Sequence, residues 1–214
     1  MTTPHALLAF LIASSLLTIT PGLDTAPILR CAALAGPKRA AAAAAGICLG
    51  LLTWGFAASI GLGALLKASL LAYNILRIAG AAYLIFLGAK LIFRHSISPA
   101  APHDAPSTAT SPLDSPHRWF LRGLLTNLLN PKVGIFYVTF LPLFIPARAN
   151  VILFSLLLAG IHAFEGITWF AIIIAAVRPL GRWLRDTRVA KTLDRITGAI
   201  FVAFGLRLLL ESRS

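Results

Sequence analysis

Long apolar runs separated by short clusters of charge make up most of this chain. The runs fall near 5–29, 40–66, 70–93, 120–145, 150–177 and 193–211, and roughly 20 apolar residues suffice for a helix to cross a bilayer. Three are uninterrupted. The first is broken by Thr20-Pro21-Gly22, the fourth by Asn130-Pro131-Lys132, and the last is short and contains Arg207. The pattern predicts an all-α polytopic membrane protein of about six transmembrane helices.

Composition agrees. The chain is 58% hydrophobic and 12% charged, with a mean hydropathy of +0.84, where soluble domains carry about a quarter charged residues. A formal net charge of +12 invites a nucleic-acid reading. The charges, however, gather between apolar runs and line no single helix face, so they read as loop charges that set membrane orientation, and no nucleic-acid partner is expected. Links after the first, third and fifth runs hold Arg30, Lys38 and Arg39, then Lys90, Arg94, Arg118 and Arg122, then Arg178, Arg182, Arg185, Arg188, Lys191 and Arg195. The alternate links offer Lys67, Arg77 and Arg148. The positive-inside rule makes the basic links cytoplasmic and puts both termini outside a bacterial-type cytoplasmic membrane. The first run lacks a basic leader and a small-residue cleavage site, so it is expected to be a retained span. Cys31 and Cys48 show no CxxC and no metal-ligand spacing, and are expected to be small core residues.

Residues 94–117, RHSISPAAPHDAPSTATSPLDSPH, are rich in Pro, Ser, Thr and Ala and have no apolar face, which reads as a flexible cytoplasmic linker. It separates two similar halves, 1–93 and 118–214. RIAGAAYLIFLGAKL (77–91) resembles RITGAIFVAFGLRL (195–208) with a one-residue gap, and LLTITPG (16–22) is echoed by LLTNLLNPK (124–132). Each half is then a three-span unit with a broken first helix. An odd span count inverts the second copy, an arrangement recurrent in secondary transporters. Gly46-Ile-Cys-Leu-Gly50 supplies a GxxxG spacing for close helix crossing.

The breaks are the places for chemistry. Fourteen residues from Ala6 to Ile19 make about 21 Å of helix, too short to cross alone. Pro21 and Gly22 therefore should interrupt the span inside the membrane, with a second half-helix starting near Asp24. Asp24, between Thr20 and Thr25, could cap that half-helix or face a polar cavity and hold a cationic group or a proton. At the other break, Pro131 suits the start of a helix, which sets Lys132 at a positive dipole end where a cation is disfavoured. A bound anion or a buried acid would resolve the conflict, as would snorkelling to the surface. Together the breaks offer a carboxylate and an ammonium to a zwitterionic amino acid. Asn127 and Asn130 add polar groups beside them. In the fifth run His162, Glu165 and Trp169 share a helix face. Glu165 could relay protons with His162 or serve as a structural contact, and the pair is too weak a pattern for a metal. No nucleotide-binding, nucleophile or metalloprotease motif is present, so neither an enzyme nor a cofactor is expected.

The elements TITPGLDT (18–25), RIAGAAYLIFLGAKL (77–91), FLRGLLTNLLNPKVGIFYVTFLPLF (120–144) and RITGAIFVAFGLRLLL (195–210) together resemble the LysE/RhtB family of amino-acid exporters, over nearly the whole chain except the linker. The resemblance implies export of amino acids or close derivatives linked to the proton-motive force. Pro21, Gly22 and Asp24 would match the family's first-helix motif, and Asn130, Pro131 and Lys132 its fourth. The family commonly reads TPGPD or TPGPN. Here Leu23 replaces the second proline, and Pro27 follows one turn later. The rival expectations are a related transporter of metal or other small ions, and a structural membrane subunit. Oligomeric state is open to either a monomer or a homo-oligomer.

Overall fold

The computed structural model describes residues 3–68, 70–93, 115–146, 149–177 and 187–210. Among these, every regular element is helical. Helices α1 (Thr3–Ile19) and α2 (Thr25–Leu34) form the broken first segment. They are followed by α3 (Pro37–Ala68) and α4 (Leu70–Phe93). In the second half α5 (Pro116–Leu128) and α6 (Pro131–Ile135) flank the other break, and α7 (Val151–Ala175) and α8 (Thr187–Leu210) complete the set.

Local chemistry sets the boundaries. Gly36, at φ +89°, turns the chain sharply between α2 and α3. It donates its N–H back to Cys31 O at 3.1 Å, closing the helix end as left-handed glycines do. Ser115 caps α5 by accepting from Arg118 N, and Pro116 occupies the first helical position. The helix therefore claims the last two residues of the expected linker, whose residues 94–114 lie outside the described residues. α8 likewise starts six residues before the apolar run it carries, because its first turns are polar and invisible to a hydropathy pattern. After α6 the backbone widens to a π-turn over Phe136–Phe140 and tightens to 3₁₀ over Leu141–Phe144. Pro142 explains the change, since its ring excludes an ordinary helical turn and supplies no donor.

α3 is the central helix, packed on α5 and α7, while α4 pairs with α8. Glycines make these approaches close. A methyl group at Gly46 would strike the Phe120 carbonyl, and one at Gly123 the Ala43 carbonyl. Gly50 faces Asn127, so α3 and α5 run parallel. Gly55 meets Ala159 while Gly166 faces Cys48 and Leu51, so α3 and α7 run antiparallel. Gly88 abuts Gly198, and Gly205 abuts Ala81, so α4 and α8 are antiparallel too. The GxxxG spacing thus serves the α3–α5 contact. One buried cluster gathers Phe10, Phe136, Phe140, Phe144 and Phe201, and another Ile28, Ile47, Trp119 and Ile173. Both cysteines are buried and free.

Large apolar side chains such as Phe56, Ile60, Phe164 and Ile167 face outward, as a lipid-solvated exterior requires. By length and composition, Pro37–Gly61 and Val151–Ala175 can each cross a membrane. Pro116–Leu128 and Pro131–Phe144, bent by 52°, make a third candidate if taken as one span. The helix directions place Lys38 and Arg39 at the same end as Arg118 and Arg122. Arg94, Arg148, Arg178, Arg182 and Arg185 lie outside the described residues.

Candidate functional site

α1 ends because Pro21 cannot continue it. Thr20 closes the last turn, donating from both N–H and Oγ1 to Leu16 O at 3.1 and 2.6 Å. α2 begins at Thr25 with Asp24 in the capping position. Yet Asp24 has helical dihedrals (φ −87°, ψ −40°) and makes no capping bond. Its carboxylate turns outward instead and accepts from Asn127 Nδ2 of α5 at 2.9 Å. The capping role open to Asp24 from sequence is therefore not the one it performs.

The second break does use a cap. Asn130 Oδ1 accepts from Lys132 N at 3.1 Å, and Pro131 opens the short helix. Lys132 does not reach for the surface. Its Nζ donates to Leu17 O of α1 at 3.1 Å. That answers the dipole conflict: the ammonium leaves the positive end of its own helix and docks on the negative end of another.

The two contacts are reciprocal. Leu17 lies four residues before Pro21, and Asn127 four before Pro131. Each break thus sends one charged side chain to the last turn before the other break. Among the described residues no ion pair joins Asp24 to Lys132, but both line one cavity of about 30 Å³. That is room for about two waters. Thr20, Gly22, Thr25 and Asn130 line it too, whereas Pro21, Asn127 and Pro131 do not. Two buried acceptors here have no partner, Asp24 Oδ1 and Asn127 Oδ1. Unpaired buried acceptors are costly, and their pairing by an added donor would remove that cost.

His162 lines the same cavity and is 2% exposed. Its Nδ1 lies 3.2 Å from Tyr137 Oη and its Nε2 3.2 Å from Thr18 Oγ1. Glu165 faces the same neighbouring helix but stands outside the cavity lining, accepting from Ser15 Oγ at 2.6 Å, with Oε2 buried and unpartnered. The two share a face as expected, but each is bonded to other residues, so no direct His162–Glu165 relay is formed. Trp169, also on that face, has its Nε1 buried without a partner.

Thr18 and Thr197 escaped the sequence reading. Thr197, on α8, is fully buried, and its hydroxyl meets Thr20 Oγ1 at 2.6 Å. A threonine in an apolar helix gives little warning of such a role. Its position opposite Ala79 in the repeat alignment was the available signal. Among the described residues, no group of three or more His, Cys, Asp or Glu is placed to hold a metal ion.

Broken helices with opposed charges on a shared cavity, inside an exterior built for lipid, define a membrane translocator. A family model described as LysE type translocator matches residues 15–212, and the chain belongs to that family. Its members are transporters, not enzymes. The chain is 32% identical over 207 residues to YrhP, an uncharacterized membrane protein of Bacillus subtilis (strain 168), covering 95% of this chain and 98% of that one. It is 27% identical over 204 residues to a leucine efflux protein of Klebsiella pneumoniae subsp. pneumoniae, covering 94% and 93%. It is 30% identical over 201 residues to a homoserine/homoserine lactone efflux protein of Salmonella typhi, covering 94% of each. No solved structure matches the chain.

Proposed function

We propose that this translocator exports amino acids or close derivatives across the cytoplasmic membrane by proton antiport, alternating access between two inverted three-span repeats. The carrying observation is the placement of Asp24 and Lys132, from opposite halves, on one cavity. A zwitterion needs an acceptor for its α-ammonium and donors for its α-carboxylate, and the pair supplies both. The unpartnered Oδ1 of Asp24 favours a donor such as an ammonium there.

Two further features support the reading. The matched segments 77–91 and 195–208 lie in helices that pair antiparallel, as an inverted repeat requires. Several relatives with near-complete overlap bear the names of leucine, threonine and homoserine efflux proteins. The cavity is smaller than an amino acid, so in this reading it is a closed form whose walls part when substrate enters. Asp24 is the proton acceptor of the cycle, binding either a proton or the substrate ammonium. The basic end faces the cytoplasm and both termini face outward.

Cells expressing the chain and loaded with dipeptides test this. Free amino acid should leave faster than from control cells, and a proton uncoupler should abolish the difference. Equal release with and without the chain, across a broad panel of dipeptides, removes the basis of the proposal.

A further inference from the structure

The charged groups of the cavity stand on one side. Lys132 Nζ lies at Gly22, where a Cβ would stand 4.0 Å from it, and Asp24 opens on the same space. The wall from α3 and α7 carries His162 at one end and is otherwise apolar: Ile47, Leu51, Gly166 and Phe170. These residues are contiguous. A Cβ on Gly166 would lie 3.4 Å from Leu51 Cδ1, 3.4 Å from Cys48 Sγ and 3.8 Å from Phe170 Cε2. Among the described residues lining the cavity, Asp24 and Lys132 are the only ones of Asp, Glu, Lys or Arg type. His162 lies one turn before Gly166, with both ring nitrogens at hydroxyl partners.

We infer that this wall receives an uncharged, aliphatic substrate side chain, and that Gly166 sets its size limit. The inference rests on the exporter reading and narrows it. With Asp24 and Lys132 occupied by the α-groups, a third charge on the substrate would meet apolar carbon and find no counter-ion, a costly burial. A methyl group at Gly166 would already touch Leu51, Cys48 and Phe170, so a larger side chain there must push Leu51 and Phe170 into the cavity they line and take volume from the substrate.

The test loads cells expressing the full chain with dipeptides of leucine, valine, alanine, phenylalanine, lysine or glutamate and follows release of each free amino acid. Leucine and valine should leave at least about tenfold faster than lysine or glutamate. Gly166→Val should lower the leucine-to-alanine release ratio about tenfold, the scale on which a pocket discriminates small differences in apolar size. Leu51→Ala, which removes bulk from the same wall, should move preference toward phenylalanine. Lysine or glutamate release matching leucine overturns the inferred substrate class. An unchanged leucine-to-alanine ratio in Gly166→Val, at wild-type abundance in the membrane, overturns the role of Gly166. An unchanged size order in Leu51→Ala, at wild-type abundance, overturns this wall as the site of the substrate side chain, with Gly166 included. Release of no amino acid at all would instead refute the exporter reading itself.

Discussion

Asn127 holds Asp24 across the two halves of the chain, its side-chain amide donating to the carboxylate at 2.9 Å. That bond uses Oδ2 and leaves the buried Oδ1 without a partner, the acceptor proposed for a substrate ammonium. Asp24→Asn keeps the shape and removes the charge. It should lower export by at least about thirtyfold, the scale of losing one partner of a buried charged pair. Initial efflux rates at matched membrane abundance check this, and a rate near wild type would contradict it.

Lys132 makes the complementary contact with Leu17 O. Lys132→Met keeps the length and removes the ammonium, leaving both the α1 carbonyl end and the substrate carboxylate without a cation. Export should fall by at least about tenfold. Lys132→Arg should recover part of the loss, because charge is restored in a larger, planar group. Full activity in Lys132→Met would show that the ammonium serves neither end.

Glu165 stands outside the cavity lining and bonds Ser15. Glu165→Gln retains an acceptor for that hydroxyl, so export should stay within about threefold of wild type, while Glu165→Leu strands the Ser15 hydroxyl and should cost about 1–3 kcal/mol of stability. Thermal unfolding in detergent beside efflux separates the two effects. Loss of uncoupler-sensitive export in Glu165→Gln at normal stability would assign Glu165 to proton coupling after all.

The close crossings make a prediction about assembly. Gly123→Leu would drive a side chain into the backbone of α3 at Ala43, and Gly198→Leu one into α4 at Gly88. Overpacking of this kind costs about 1–3 kcal/mol or more. Gly160 is exposed with open space at its Cβ position, so Gly160→Leu should leave the unfolding temperature unchanged. Equal behaviour of all three variants would mean that these glycines do not carry the helix contacts.

Much of this was legible in the chain itself. Pro21 and Pro131 announced both breaks, because a ring without an N–H cannot sit inside a helix, and Asp24 and Lys132 stood out as charges within oil. Their partners did not. Whether Asp24 capped its own helix or crossed to α5 depended on backbone angles at one residue, and the docking of Lys132 on Leu17 O involves a main-chain carbonyl that carries no sequence signature. Thr197 was hidden for a similar reason: its partner Thr20 lies 177 residues away, and only packing of α8 against the first break brings them together. The helix ends at Pro116 and Thr187 were missed because polar turns extend helices beyond their apolar cores.

In the proposed cycle one cavity grips a zwitterion by both of its charges. Its most direct test takes whichever amino acid is exported best and measures binding to the purified protein. The amine lacking its carboxylate and the acid lacking its amino group are measured beside it. The amino acid should bind at least about tenfold more tightly than either analogue, with the preference over the acid lost in Asp24→Asn and that over the amine lost in Lys132→Met. An amine or an acid that binds as tightly as the amino acid would contradict the account.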